Sequence, residues 1–300
     1  MQYITEIESY QSKKKSVVTL GKFDGLHRGH QKLVEKVQEY TSDELVSIVC
    51  SFDMGKDVLL TETEKQRQLE TKADVLIAVP FTEALREMEA EVFIEEVLVK
   101  RFHAAYIVVG TDFCFGYKKR GNVQMLEQYA DRYGYHLDVI EKEEYDGQEI
   151  SSTRIRAALE AGKVAYANQL LGYPYSVSGV VEHGKQLGRR LGFPTMNVAF
   201  EERKKAPRFG VYACRVCIDG EWFPGIGNIG VKPTVTKERR LLAEVYVLGY
   251  EGDAYGKTIT VSLCDFERPE KTFASIEELK TQVDADILYG KQYFHLDEKK

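Results

Sequence analysis

The first 140 residues alternate short apolar runs with amphipathic segments of helical spacing. The apolar runs are SVVTL (16–20), LVSIVCSF (45–52), ADVLIAVPF (73–81), AYIVVG (105–110) and YHLDVI (135–140). Between them lie HQKLVEKVQEY (30–40), EALREMEAEVFIEEVLVKRF (83–102) and NVQMLEQYADRYG (122–134). Short buried strands separated by helices predict a Rossmann-like parallel α/β sheet covered on both faces. In such sheets, ligands bind beyond the carboxyl ends of the strands.

The pattern changes after the helical segment SSTRIRAALEAGKVAYANQLLG (151–172). Four strand-like segments divided by Gly and Pro follow, namely YSVSGVVEHG (175–184), GVYACRVCIDG (210–220), LLAEVYVLGY (241–250) and KTITVSLCDF (257–266). They predict a small antiparallel β-barrel, closed by the terminal helix SIEELKTQVDADILYG (275–290). We therefore expect two domains, residues 1–165 and 166–300, with the boundary near residues 160 to 175.

The composition and charge of the chain limit the classes of protein to which it can belong. Hydrophobic residues make up 43% and charged residues 29% of the chain, as in folded globular proteins. The N-terminus lacks an apolar core of signal-peptide length, and no stretch approaches the roughly 18 apolar residues that cross a bilayer, so we expect a cytoplasmic protein without membrane contact. The net charge of −6 argues against general nucleic-acid binding. An anionic ligand must therefore be held by local groups.

The five cysteines are scattered and odd in number, which favours free thiols in a reducing compartment. Cys214 and Cys217 form a C-x-x-C spacing that also occurs in zinc and redox sites. They lie in a strand-like run, however, where residues three apart point to opposite faces. No second pair at zinc-finger spacing accompanies them. We interpret both as structural thiols.

The stretch TLGKFDGLHRGH (19–30) follows the first apolar run and contains three glycines and two histidines. It connects the first predicted strand to the first helix, where sheets of this kind bind phosphate. His27 and His30 are three residues apart at the helix start, so their rings can face the same way. The spacing matches neither GxxxxGK[ST] nor GxGxxG. A glycine turn with incidental histidines is one alternative, and a zinc site lacks an evident third ligand.

Two motifs resemble a known superfamily. The pattern T-x-G-x-F-D-x-x-H-x-G-H closely resembles the HxGH signature of nucleotidyltransferases, which transfer a nucleotidyl group and release pyrophosphate. ISSTRIR (150–156) resembles the ISSTxIR motif of the flavin-adenylating branch. By themselves, Ser and Thr at this position are typical helix caps. Together with the histidines, they indicate a phosphate-binding role.

A third motif lies in the second predicted domain. LGRRLGFPTMN (187–197) resembles the GRxLGFPTAN segment of riboflavin kinases, with Met196 in place of Ala. GIGNIGVKPTV, LLAEVYVL and YGKTITVSL follow in that family's order. Nearly the whole chain thus resembles the bacterial bifunctional riboflavin kinases/FMN adenylyltransferases, or FAD synthetases. The resemblance implies ATP and Mg²⁺ as cofactors, and riboflavin, FMN and FAD as substrates and products.

The resemblance also implies roles for residues of the barrel. Glu244 matches the general base for the ribityl hydroxyl, whereas an unrelated strand Glu would simply face solvent. Thr195 and Asn197 are the expected Mg²⁺ and phosphate ligands; because both are neutral, ATP must supply much of the coordination. The remaining expected binding residues of this domain are Gly184, Lys185, Gly188, Pro194 and Arg268.

In the first domain, the resemblance implies alignment and charge stabilisation rather than a covalent intermediate. His27 and His30 are the expected catalytic residues. The expected substrate- and nucleotide-binding residues are Gly21, Phe23, Asp24, Gly29, Asp112, Ser151, Ser152, Thr153 and Arg156. We interpret the run Lys118 to Arg120 mainly as a solvated charged surface.

The chain departs from the family pattern after the second predicted long strand. Members usually carry a Pro-His-Pro element there, but residues 51–57 read SFDMGKD; Lys22 also replaces a common Asn. Three functions are therefore compared: a bifunctional enzyme, a riboflavin kinase with a degenerate first domain, and a non-catalytic regulator that binds flavin or RNA. The sequence leaves the oligomeric state and the preference for oxidised or reduced flavin open.

Overall fold

The structure is a computed structural model that describes residues 1–55, 57–184, 188, 191–233 and 239–296. Contacts within the chain divide it into two compact units, residues 1–152 and 153–300. The boundary after residue 165 stays a prediction. Among the described residues, no helix has the length and apolar character needed to cross a membrane.

The first unit is built around a six-stranded sheet of order β1-β4-β3-β2-β5-β8. Its strands are β1 (Gln2–Ile4), β2 (Lys15–Gly21), β3 (Leu45–Asp53), β4 (Val75–Pro80), β5 (Ala104–Gly110) and β8 (His136–Ile140). All neighbouring pairs are parallel. The predicted parallel α/β fold is confirmed.

Helices and short hairpins connect these strands. The helices of this unit are α1 (Arg28–Tyr40), α2 (Glu62–Leu69), α3 (Glu83–Glu87), α4 (Ala90–Val92) with a π-helical continuation over Phe93–Arg101, and α5 (Val123–Tyr133). The hairpins are β6 (Cys114–Phe115) with β7 (Gly121–Asn122), and β9 (Glu144–Tyr145) with β10 (Gln148–Glu149). Short 3-10 turns cover Ile7–Ser9 and Tyr117–Lys119.

Local chemistry sets several helix ends. Thr61 and Glu64 form a reciprocal capping box at α2, in which each side chain accepts the other residue's backbone N–H. Asn122 caps α5 by accepting the N–H of Met125, and Gly134 ends that helix in the left-handed region. The predicted helix over residues 83–102 is interrupted because Met88, between α3 and α4, is extended at ψ 125°.

Helix α6 (Ser152–Glu160) begins at the last residue of the first unit and otherwise belongs to the second unit. The second unit continues with α7 (Val164–Leu171). A closed barrel of order β11-β12-β15-β14-β13-β16 follows. Its strands are β11 (Ser176–Glu182), β12 (Thr195–Ala199), β13 (Gly210–Ile218), β14 (Glu221–Pro233), β15 (Arg239–Val247) and β16 (Thr258–Pro269), and α8 is Ile276–Tyr293. All pairs are antiparallel, which confirms the predicted barrel and terminal helix.

Candidate functional site

The connection between β2 and α1 is a tight turn that carries the first motif. Phe23 (φ 43°), Gly25 (φ 83°) and Leu26 (φ 38°) all have left-handed backbone angles. Such angles are costly for residues other than Gly, but Phe23 and Leu26 are buried at 0% and 3% exposure. Burial of these two side chains fixes the turn and places His27 at the N-cap of α1.

His27, which is buried, and His30, which is half-buried, stack beside the start of α1. Their ring centroids are 3.7 Å apart with an interplanar angle of 18°, and Phe23 packs on His30 at 5.2 Å. A Cβ at Gly29 would approach the His27 ring to 3.3 Å, and one at Gly21 would contact the Phe23 ring at 3.5 Å. These two glycines therefore leave room for the ring cluster.

The surroundings of both imidazoles disfavour the protonated form. Burial lowers the pKa of His27 to about 4. The pKa of His30 is also well below its ordinary value, because of burial first and then repulsion by His27 and Lys65. Within the described part of the chain, neither Nδ1 atom has a hydrogen-bond partner. Two stacked rings whose Nδ1 atoms are buried and unused are suited to a polar or anionic ligand.

The second motif lies against this turn. The Oγ of Ser152, the first residue of α6, donates to the backbone O of Asp24 at 2.9 Å. Arg28 of α1 binds the Glu143 carboxylate at 2.5 Å, and the Glu143 carbonyl accepts the N–H of Ile150 at 2.8 Å. These bonds bring Ser151 and Ser152 to the histidine turn from a distant part of the sequence.

The other predicted residues of this domain occupy varied surroundings. Asp112 is exposed on the loop after β5, and its carboxylate pairs with Lys142 at 3.1 Å. Thr153 and Arg156 belong to the second unit, and Thr153 is exposed. Their contacts with phosphate stay predictions. The run Lys118 to Arg120 is exposed, as predicted for a solvated charged surface.

The loop after β3, which lacks Pro-His-Pro, is held by hydrogen bonds. Asp53 Oδ1 accepts the N–H of Gly55 at 2.9 Å, and Gly55 has a φ of 68° that favours glycine. Asp24 Oδ1 accepts the N–H of Leu59 at 2.7 Å. Asp24 thus ties the histidine turn to the end of this loop, where Leu59 is fully buried.

A second constellation lies on three adjacent barrel strands. Glu244 of β15 pairs in register with Asn197 of β12 on one side and with Asn228 of β14 on the other. Opposed residues of an antiparallel pair project from the same face, so the three side chains form a row. Thr195 Oγ1 donates to Glu244 Oε1 at 2.8 Å. This bond orients a carboxylate that the sequence identified as a base.

Two glycines lie close to these side chains. A Cβ at Gly184 would collide with the Asn197 amide, and one at Gly188 would lie 2.5 Å from the Phe193 carbonyl and 3.4 Å from Thr195 Oγ1. Side chains at either position would fill the space beside Thr195 and Asn197. Lys185 lies outside the described residues. Pro194 is exposed immediately before β12.

Glu244 and Thr195 line a cavity of about 200 Å³ between the barrel and α8. Its apolar wall is formed by Phe193, Val211, Ile226, Tyr246, Phe273, Leu279, Val283 and Ile287. Arg268 also lines it, but its guanidinium is engaged by Asp286 of α8, with Nε–Oδ1 at 2.8 Å and Nη2–Oδ2 at 2.5 Å. Arg268 therefore fastens α8 over the cavity.

The donor set beside this cavity fits a hard divalent cation. Thr195 offers a hydroxyl and Asn197 an amide oxygen, both next to the Glu244 carboxylate, and oxygen donors are the ligands that Mg²⁺ prefers. Two neutral ligands leave most of the coordination to nucleotide phosphates. The residues present are thus compatible with Mg²⁺ that arrives with ATP.

Comparison with known families agrees with this division of sites. Residues 9–154 match the FAD synthetase family and residues 171–294 match the riboflavin kinase family. A bifunctional riboflavin kinase/FMN adenylyltransferase of Pseudomonas fluorescens is 36% identical over 282 residues, 90% of each chain. The chain belongs to the bifunctional riboflavin kinase/FMN adenylyltransferase family. Members from Listeria monocytogenes (35% identical, 93% and 92% covered) and Escherichia coli K12 (37%, 93% of each) are similarly related.

A solved structure supports the family fold. The crystal structure of a macrolide-efflux protein from Streptococcus pneumoniae superposes on this chain with a TM-score of 0.85 at 30% identity, covering 96% of this chain and 98% of that one. The two family models and the curated relatives instead associate this chain with flavin metabolism.

Sequence reasoning missed two polar residues of these sites. Lys65 of α2 is 4% exposed and acts electrostatically on His30, but ETEKQRQL reads as a polar surface helix. Asn228 lines the barrel cavity, and its Oδ1 is buried without a partner among the described residues. The sequence feature that could have identified Asn228 as a site residue is its position within GIGNIG, in a strand after the kinase motif.

Proposed function

We propose that the chain catalyses two successive reactions, the phosphorylation of riboflavin to FMN in the barrel and the adenylylation of FMN to FAD in the first unit. Each reaction uses one ATP. The observation that carries this proposal is the barrel row around Glu244, with Asn197 beside it and Thr195 bonded to its carboxylate, next to an apolar cavity. The histidine stack supports the second activity.

In the barrel, Glu244 accepts the proton of the 5′-hydroxyl as its oxygen attacks the γ-phosphorus, and ADP leaves. The hydrogen bond from Thr195 fixes the carboxylate. The apolar wall suits the flavin ring system, with Arg268 and Asp286 holding α8 as one side. Thr195 and Asn197 would hold Mg²⁺, which would neutralise phosphate charge when bound.

In the first unit, an oxygen of the FMN phosphate attacks the α-phosphorus of ATP, and the bond to pyrophosphate breaks. The phosphate is already ionised, so no base is required. His27, which is buried, and His30, which is half-buried, donate N–H groups to phosphate oxygens as charge develops. The family resemblance implies that Ser151, Ser152, Thr153 and Arg156 bind the departing pyrophosphate and that Asp112 contributes to substrate binding.

The histidine turn is hydrogen-bonded to the altered loop after β3. Asp24 binds the Leu59 N–H, so the loop end remains attached to the histidine turn without prolines. The bond from Ser152 to Asp24 adds the second motif to the same anchor. We therefore include adenylylation in the proposed function, rather than a kinase with an inactive first domain.

The test is to incubate the purified protein with riboflavin, ATP and Mg²⁺, under air and under reducing conditions, and to separate the flavins by chromatography. FMN should form first and FAD later. Glu244→Gln should abolish FMN formation but still convert supplied FMN to FAD. His27→Gln with His30→Gln should lower FAD formation by about 10²-fold or more and leave FMN formation unchanged.

Matched controls are Glu251→Gln in the barrel and His136→Gln in the first unit, both exposed residues that should leave both activities intact. FMN without FAD under either condition would reduce the chain to a riboflavin kinase. Absence of both products would refute the enzymatic proposal. Loss of FMN formation in the histidine variant would refute the separation into two sites.

A further inference from the structure

Lys65 is a buried lysine outside the recognised motifs. It lies on α2 with 4% exposure, and lysines are rarely buried unless they are paired. Its Nζ donates to Ser51 Oγ at 3.0 Å and lies 2.9 Å from Glu62 Oε1. The other carboxylate oxygen of Glu62 is buried without a partner among the described residues.

Ser51 extends this contact to the histidine turn. It lies near the carboxyl end of β3, and its hydroxyl donates to the carbonyl of Lys22 at 3.0 Å. Lys22 follows β2 directly and begins the segment that leads to His27. A continuous series of hydrogen bonds therefore connects the Lys65 ammonium group with the backbone of the first motif.

The Lys65 charge also acts on His30. The ionisable groups that act on the His30 ring are His27 on the same turn and Lys65 on α2, in addition to burial. Both disfavour a proton on His30. Glu62 pairs with Lys65 and partly offsets its charge, so the ammonium group is held in place beside the His30 imidazole.

We propose that Lys65 is a positioning residue of the adenylylation site: through Ser51 it fixes the Lys22 backbone, and its buried charge acts on the ring of His30. The buried ammonium group adds favourable potential for a polyphosphate. This inference rests on the proposed function, because it concerns the same adenylylation reaction.

The test compares Lys65→Met, which removes the charge and retains the bulk, with Lys65→Arg, which retains the charge. Ring NMR signals of His30, assigned with His30→Gln, are followed against pH in the full chain. Lys65→Met should raise the His30 pKa, because it removes the repulsion by the ammonium group. The acid limb of the pH profile for FAD formation should move to higher pH with it. Lys65→Arg should move neither.

Ser51→Ala separates the two roles. It removes the hydrogen bond to Lys22 but keeps the ammonium group, so it should slow FAD formation without moving the pH profile. FMN formation from riboflavin reports on the barrel, and circular dichroism during urea unfolding serves as the folding control for the first unit in all variants. Two results would overturn the charge role. One is a His30 pKa that does not change in Lys65→Met. The other is an equal loss of rate in Lys65→Met and Ser51→Ala with unchanged pH profiles. If wild type makes no FAD, the proposed function fails, while the NMR titration still tests the electrostatic inference.

Discussion

Glu267 of β16 is a carboxyl group in a setting that penalises its charge. Burial and the neighbouring Asp286 carboxylate raise its pKa to about 7, against the opposing effect of Arg268. Its Oε2 is buried and has no hydrogen-bond partner among the described residues. Replacing Glu267 with Gln removes the ionisation and retains the size of the side chain.

The expected magnitude follows from the raised pKa. Moving the pKa of a carboxyl from 4.5 to about 7 corresponds to at most about 3 kcal/mol for ionisation in the folded barrel. The side chain is only partly buried, so solvent screening reduces the expected effect to about 1–2 kcal/mol. Above pH 4.5, the unfolded chain loses this proton while the folded chain keeps it, so stability falls as the pH rises through 7.

The assay is urea unfolding followed by the fluorescence of Trp222, the single tryptophan, which lies on β14 and reports on the barrel. Glu267→Gln should match wild type most closely near pH 4 to 5 and exceed its stability by about 1–2 kcal/mol near pH 8. Glu251→Gln, at an exposed position, is the control and should show no such divergence. A difference between Glu267→Gln and wild type that is constant with pH would refute the reasoning.

Two further predictions concern stability and flavin binding. Gly116 has a φ of 71° and a Cβ there would lie 2.7 Å from Ala90 Cα, so Gly116→Ala should destabilise the first unit by about 2 kcal/mol or more. Gly134→Ala (φ 70°, nothing within 4 Å) should cost only about 1 kcal/mol; equal losses in urea unfolding followed by circular dichroism would contradict the steric argument. Asp286→Asn leaves Arg268 without its buried, charged partner. The variant should destabilise the barrel by about 2–4 kcal/mol and raise the KM for riboflavin. The control Asp284→Asn, at an exposed position, should have neither effect. An unchanged KM in Asp286→Asn would show that the Arg268 pair does not shape the cavity.

The parallel sheet could be predicted because each long strand is a nearly continuous apolar run bounded by helices. The strands that escaped prediction have weaker signals for physical reasons. β1 has only three residues, and β12 lies within the kinase motif, where the preceding Gly and Pro suggest a loop. β14 contains three glycines and two prolines, which weaken any strand pattern. In the barrel, hydrogen bonding to β13 and β15 outweighs this local preference.

Within both sites, some residues could be identified from the sequence and others could not. The histidines, Thr195, Asn197 and Glu244 occur in recognisable spacings, whereas Lys65 and Asn228 acquire their positions only from tertiary contacts. Lys65 occurs in a polar octapeptide whose pattern indicates exposure, and it is buried because α2 packs at the end of β3 beside Ser51. Asn228 becomes part of the barrel row only through register with Glu244.

The missing Pro-His-Pro element illustrates the same distinction between motif and contact. A rigid proline loop is one way to hold the end of β3 near the histidine turn; hydrogen bonds from the turn itself are another. Here Asp24 binds the Leu59 N–H, and Ser51 joins Lys65 to the Lys22 carbonyl. Both connections start from β3 or the loop after it and end on the first motif. One connection uses the Asp24 carboxylate and the other uses the Lys22 carbonyl, so the histidine turn is joined to β3 and to the loop after it without the absent prolines.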